Sequence, residues 1–408
     1  MSDVNISQLF AKRQQSESSE EKIHLSGEDF AVQNPYYAAI ARGYHIAQLT
    51  LFSLLACFVM LSMLIRADDI TYENFFYLFK DIHAAVDSED VSFHSLVYDA
   101  DEAQTFATYR GGLAVAGESG LTVFTATGRQ TLTQSLGMSA PQLLSSDRCI
   151  LVYDQGGTEF ALYNSFARIH HGKTSNIYSC AALSDSGWFA LAEQAGNSAL
   201  ISVYDKNSDL KAEHFKNGYV SSVALNQDGS LLAIVMIDAA DGAYQTSLSL
   251  YQPGTDRLVQ EWVFSDFFPL ECSFADSETV FLSGAKRALV LNRDGKISVD
   301  LSFDDPICRA FHSEMGFALL SAGGELSIYG KNGELIGIRQ GAENIRSVLV
   351  GEETVYMMTG DTLMAYQIAT GESAVTTYTY ELQKLLWYSE NELLICSRST
   401  ARYASMGN

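Results

Sequence analysis

Short apolar-rich runs, each ending near an aromatic or apolar residue, recur at a regular spacing over the last three-quarters of the chain. Eight of them are SGLTVF (residues 119–124), GTEFALY (157–163), SALISVY (198–204), TSLSLY (246–251), KRALVLN (286–292), GELSIY (324–329), DTLMAY (361–366) and STARY (399–403). Their last residues, from Phe124 to Tyr403, stand 39, 41, 47, 41, 37, 37 and 37 positions apart. A repeat of about 40 residues accommodates four short strands, the content of one β-propeller blade. The pattern therefore predicts an all-β chain folded as a β-propeller of eight blades, with seven as the alternative count.

One grammar serves each blade. In the fourth, YVSSVAL (219–225) is the inner strand, Asn226, Gln227, Asp228 and Gly229 turn the chain, and LLAIVMI (231–237) returns. TSLSLY follows, then Gln252, Pro253 and Gly254, then RLVQEWVF (257–264) as the outer strand. Asn, Asp, Gly and Pro stand at the turns because they tolerate or preset turn dihedrals. The last blade supplies only three strands, LQKLLWY, ELLICS and TARYA. The segment VSFHSLVY (91–98) has no other partner, and placing it as the missing fourth strand closes the ring and removes two open edges.

Ahead of the repeats the pattern changes. Residues 46–65, IAQLTLFSLLACFVMLSMLI, are 20 positions without a formal charge. At about 1.5 Å per residue they cover a bilayer's hydrocarbon core of about 30 Å. A polar stretch of 45 residues precedes the run and no A-x-A cleavage pattern follows it, so a signal-anchor helix over 44–66 is expected rather than a cleaved signal peptide. Residues 1–43 read as a cytoplasmic tail, largely disordered, because residues 1–33 are rich in Ser, Glu and Gln. Between the span and the blades, Phe75, Phe79, Ile82 and Val86 fall on one helical face, widened by Tyr72 and Phe76. That predicts a short amphipathic helix from Tyr72 to about Val86 inside a juxtamembrane stalk over 67–90, with the propeller over 91–408.

Charge narrows the partners. The 408 residues carry 26 Lys and Arg against 49 Asp and Glu, a net −23. Residues 72–408 hold 21 basic and 41 acidic residues, a net −20. A surface this acidic repels phosphates, so no nucleic acid is expected as a partner. Arg42 precedes the span, and Asp68, Asp69 and Glu73 follow it. This small positive-inside bias favours a cytoplasmic N-terminus and an extracytoplasmic propeller. Cys149, Cys180, Cys272, Cys308 and Cys396 are flanked by strand residues; five cannot all pair, and buried free thiols are expected.

Candidate chemistry is sparse. His170 and His171 are adjacent on an outer strand, where they point to opposite faces and cannot readily share a metal. No GxSxG, HExxH or P-loop pattern occurs, so no catalytic residue, metal or cofactor is assigned. One constellation stands out. Arg309, Arg346 and Lys384 each precede the apolar part of an inner strand, in blades six, seven and eight. Inner strands line a propeller's channel, so three cations at matching positions would form an anion-attracting arc, with Gln142 in the corresponding place in blade two. Pairing with carboxylates such as Glu343 or Asp305 is the alternative.

GELSIYGKNGELIG (324–337) and DTLMAYQIATGESAV (361–375) resemble the repeats of quinoprotein-like and WD40-like propellers, which implies fold only. The layout of span, NFFYLFKDIHAAVDS (74–88) and blades resembles an uncharacterised, mainly clostridial family of single-span, membrane-anchored bacterial propellers without assigned activity. The resemblance covers about residues 44–408. It implies a cell-envelope protein held in the lipid bilayer by residues 46–65. The expected function is an extracytoplasmic scaffold that binds a protein partner or a ligand. The rivals are an envelope-polymer lyase or hydrolase with its site in the channel, and a sensor signalling through a cytoplasmic partner.

Overall fold

The middle strands of the repeats are apolar on both faces, and the fold explains why. In the computed structural model, which describes residues 35–65, 72, 76, 95–240, 242–313, 315–342, 344–389 and 392–405, the strands form eight separate four-stranded antiparallel sheets. Each sheet is one blade, with a first (inner), second, third and outer strand, in chain order in the first seven blades and with the outer strand of the eighth taken from ahead of blade one. Second strands such as Gly112–Ala116, Ile150–Asp154 and Gly316–Ser321 are buried at every position. Both faces of a middle strand are covered by neighbouring blades, so it reads as a continuous apolar run. Outer strands such as Arg168–Lys173 and Ser373–Thr377 are largely exposed.

The core is correspondingly divided. Eight apolar clusters form, one between each pair of consecutive blades. Leu248, Trp262, Phe264, Phe267 and Leu282, for example, join blades four and five. Inner strands pack against one another in sequence, and the last, Leu382–Ser389, packs against the first, Thr105–Tyr109, so they ring a central channel.

Blade eight closes as the strand count predicts, and within the described residues the closing segment pairs at Leu96 and Val97. Leu96–Val97 pairs antiparallel with Thr400–Ser405, with Leu96 opposite Ala401 and Val97 opposite Thr400. The Tyr98 N–H donates to Ser399 O, and its hydroxyl donates to Ser397 O at 2.7 Å. Leu96 and Tyr98 are buried among Phe106, Phe124 and Cys396. The N-terminal part of the predicted strand, residues 91–94, lies outside the described residues.

The propeller has two ends. First-to-second and third-to-outer turns gather at one end, called lower here; second-to-third hairpins and interblade connectors gather at the other, called upper. Lower turns are bonded across blades. Asn226, fully buried, accepts the Leu231 N–H on Oδ1 at 2.9 Å and donates from Nδ2 to Ser277 O of blade five at 2.8 Å. The Ser313 hydroxyl likewise donates to Val350 O of blade seven at 2.9 Å.

A separate unit holds the helix α1, Pro35–Ile65, whose proline occupies the first turn, where no N–H is needed. Within α1, Gly43–Leu61 is long and apolar enough to cross a membrane, and its side chains are exposed. Tyr72 and Phe76 are helical; the rest of the predicted amphipathic helix, through Val86, lies outside the described residues.

Candidate binding site at the channel mouth

Strand register decides which inner-strand residues are equivalent. In blades five, six and eight the inner strand carries a bulge after its first paired residue, and in blades three and four after its second. The residues directly after the bulge are Cys180, Ser222, Glu271, Arg309 and Lys384. Arg309 and Lys384 therefore share one position. Gln142, in blade two without a bulge, is the second paired residue of its strand, opposite Tyr153. Arg346 stands one residue earlier, just before Ser347, the first paired residue of blade seven.

All three cations are exposed, on consecutive blades at the upper mouth. Arg309 donates from its guanidinium to Ile345 O of the next blade at 3.0 Å. Arg346 does the same to Leu382 O at 3.2 Å and also pairs with Glu381 at 2.6 Å. Both arginines thus tie one blade to the next while keeping donors at the surface, which the planar guanidinium with its five N–H groups permits. Asp305, one of the carboxylates weighed as a partner, accepts the Gly323 N–H instead, and Glu343 lies outside the described residues. Lys384 makes no ion pair among the described residues.

Glu271 shares the register of Lys384 from the wall of blade five. Burial pushes its carboxyl up to about 7, partly offset by the Lys384 charge. The channel therefore holds a carboxyl that titrates near neutrality, facing a cation it does not bond. On the same two inner strands, the Ser273 and Gln383 side chains each bury an oxygen with no hydrogen-bond partner. Deeper in, burial holds His312 down to about 4, so the imidazole is neutral at ordinary pH. Glu271 and His312 were missed at the sequence level because nothing in PLECSF or ICRAFHS distinguishes a channel-facing polar residue from an exposed one.

The upper end also presents aromatic surface. The second and third strands of blade four, Leu232–Ala240 and Ala243–Tyr251, form the longest hairpin and project from that end. Exposed Tyr244 on the hairpin meets exposed Phe268 of the following connector edge-on at 6.1 Å. Exposed Tyr219 begins the inner strand of the same blade. The insertion that makes the fourth repeat longest in sequence is this hairpin.

The remaining candidates sort simply. His170 packs beside Phe160 and Tyr204, while His171 next to it is exposed, so the two face opposite ways. Among the described residues no group of His, Cys, Asp and Glu is arranged to hold a metal. The cysteines are free, and Cys149, Cys272 and Cys396 are buried as expected, with Cys180 half-buried. Cys308 differs: it occupies the bulge of blade six, which turns it out of the blade interface, and it is exposed.

Solved propellers share the architecture. Sqt1 of Saccharomyces cerevisiae is similar with a TM-score of 0.60 at 9% identity, covering 78% of this chain and 98% of its own. BamB of Moraxella catarrhalis gives 0.56 at 11%, covering 76% and 98%. The WD40 domain of SCAP from fission yeast gives 0.55 at 10%, covering 77% and 95%. Identities this low show the fold alone. No curated protein matches the chain. A family model described as a family of unknown function, DUF5711, matches residues 88–404, which is the whole propeller from the closing strand to the last, and the chain belongs to that family.

Proposed function

We propose that the protein is a membrane-anchored scaffold of the cell envelope, held by the Gly43–Leu61 segment, whose propeller lies outside the cytoplasm and binds a protein partner through its upper end. The observation that carries this reading is the composition of that end. Exposed Arg309, Arg346 and Lys384 form an arc of the channel mouth on blades six to eight, and exposed Tyr219 and Tyr244 of blade four and Phe268 of the connector after it stand at the same end. Tyr, Trp and Arg dominate the binding energy of protein interfaces, because they combine large contact area with directional hydrogen bonds. In a domain of net −20 these three cations also select for an anionic patch on the partner. The small positive-inside bias around Arg42 supports the orientation.

The test is a pull-down of the full chain from detergent-solubilised native membranes. The triple variant Arg309→Gln, Arg346→Gln and Lys384→Gln is compared with the wild type. A discrete protein is expected with the wild type and depleted with a folded triple variant, the difference shrinking at high salt. Equal recovery by the two would remove the arc from the interface.

A further inference from the structure

The lower mouth of the channel is a different surface. A cavity of ≈ 450 Å³ opens there, lined by the ends of the inner strands of blades two to six, with Leu144, Leu183, Leu225 and Phe274 among its walls. Cavities of this size hold one large side chain or a small ligand. Its wall is not purely apolar: the Ser273 hydroxyl is buried there without a hydrogen-bond partner, and the His312 ring, stacked on Phe281, also lines it. A buried hydroxyl left unpaired costs free energy that an incoming donor or acceptor recovers.

Carboxylates stand along one side of this opening. The first-to-second turns place exposed Asp185, Asp228 and Asp276 on blades three, four and five, and Glu352 and Glu353 on blade seven. Arg148, whose side chain lies against Gly187, and Lys331, which acts on Asp276, flank the arc. The turns are fixed rather than loose. Asp276 accepts the Glu278 and Thr279 N–H groups at 2.8 Å, Asp228 accepts the Ser230 N–H at 2.9 Å, and Asn226 locks the turn of blade four to blade five. An apolar socket with an unpaired hydroxyl, inside a rigid acidic rim, asks for an occupant with the complementary arrangement. A lone cation would leave the socket empty, and an uncharged apolar molecule would leave the rim unused.

We propose that the lower mouth binds a lysine- or arginine-bearing segment of a protein partner, with one apolar side chain seated between Leu183, Leu225 and Phe274 and the flanking cations on Asp185, Asp228 and Asp276. This rests on the interaction-scaffold reading and adds a second end with the opposite charge preference. The channel thus carries cations at its upper mouth and carboxylates at its lower one.

The probe is a short fluorescent peptide with a central phenylalanine between pairs of lysines, titrated against the detergent-solubilised full chain. Its twins carry alanine at the centre, or glutamates for the lysines. The phenylalanine peptide is expected to bind roughly tenfold or more tightly than the alanine twin. The glutamate twin should not bind. The double variant Asp185→Asn and Asp276→Asn keeps the Oδ1 acceptor of the Asp276 turn and should weaken the parent peptide by a similar factor. Ser273→Leu, which fills the socket, should abolish the preference for phenylalanine over alanine. The upper-end variant Arg309→Gln, Arg346→Gln and Lys384→Gln should bind the peptide as the wild type does, so failure of the upper-end reading leaves this result untouched. Equal binding of the phenylalanine and alanine peptides would mean diffuse attraction to an acidic surface and would overturn the proposal. So would no binding at all, or unchanged binding to the Asn variant.

Discussion

Glu271 and His312 sit on neighbouring inner strands, and their protonation pulls stability in opposite directions. Glu271 titrates near 7 in the folded chain against about 4.5 in the unfolded one. Between those values the folded state keeps a proton that the unfolded state releases, so stability falls as pH rises through this window, by roughly 3 kcal/mol for a shift of that size. Glu271→Gln should therefore stabilise the propeller at pH 8 by about 1–3 kcal/mol and change little at pH 5. His312 behaves the other way. Its folded value near 4 lies below the ordinary 6.5, so the unfolded chain binds the extra proton and stability falls as pH drops from 6.5 towards 4. His312→Gln should flatten that acid limb. Urea titrations of both variants at pH 5, 6.5 and 8 separate the two groups; slopes identical to wild type would show that neither is buried as described. Asn226 is a third case at this scale. Asn226→Ala removes both bonds to Leu231 and Ser277 in a fully buried turn and should cost about 2–4 kcal/mol, read from the same titrations, whereas a loss below about 0.5 kcal/mol would contradict the locking role.

At the scale of single strands, the closing segment is the most consequential. Leu96–Val97 is only two residues long, yet it seals blade eight against blade one through buried Leu96 and Tyr98. Deleting residues 91–98 should expose the edge of Thr400–Ser405 and open a core cluster, lowering the melting temperature sharply or causing aggregation. A deletion that melts like the wild type would contradict the closure. The spare strand was legible in sequence because blade eight came up one strand short. Where its pairing ends was not, because that depends on how far the chain runs alongside Thr400–Ser405. The third strands were equally legible: both faces are buried, so apolar residues such as Leu248 and Leu250 recur with the repeat. Inner strands were harder. Bulges shift the register in five blades, so counting from the apolar segment set Arg346 level with Arg309 and Lys384, although it pairs one position earlier. The same shift put Cys308 at the surface. Lower-mouth chemistry left no sequence signal, because Asp185, Asp228 and Asp276 read as ordinary turn residues until the ring sets them side by side.

Taken whole, the molecule is an acidic ring of eight blades with two unlike ends and, as a separate unit, a helix able to cross a membrane. Eight interblade clusters make the ring a rigid support, so its ends can hold side chains in place without moving the core. The orientation has its own test: protease added to intact cells stripped of wall should digest epitopes after residue 100 and spare those before Arg42, and the reverse pattern would invert the topology. The central claim, that the upper end holds a protein partner, is tested most directly by site-specific photo-crosslinking in living cells. A photoreactive residue is placed at Tyr244 or Phe268 on the upper end, and at Ile169 or Val263 on exposed outer strands. The account predicts one discrete adduct from Tyr244 and Phe268 and none from Ile169 and Val263. Adducts of equal yield from all four positions, or from the outer strands alone, would contradict it.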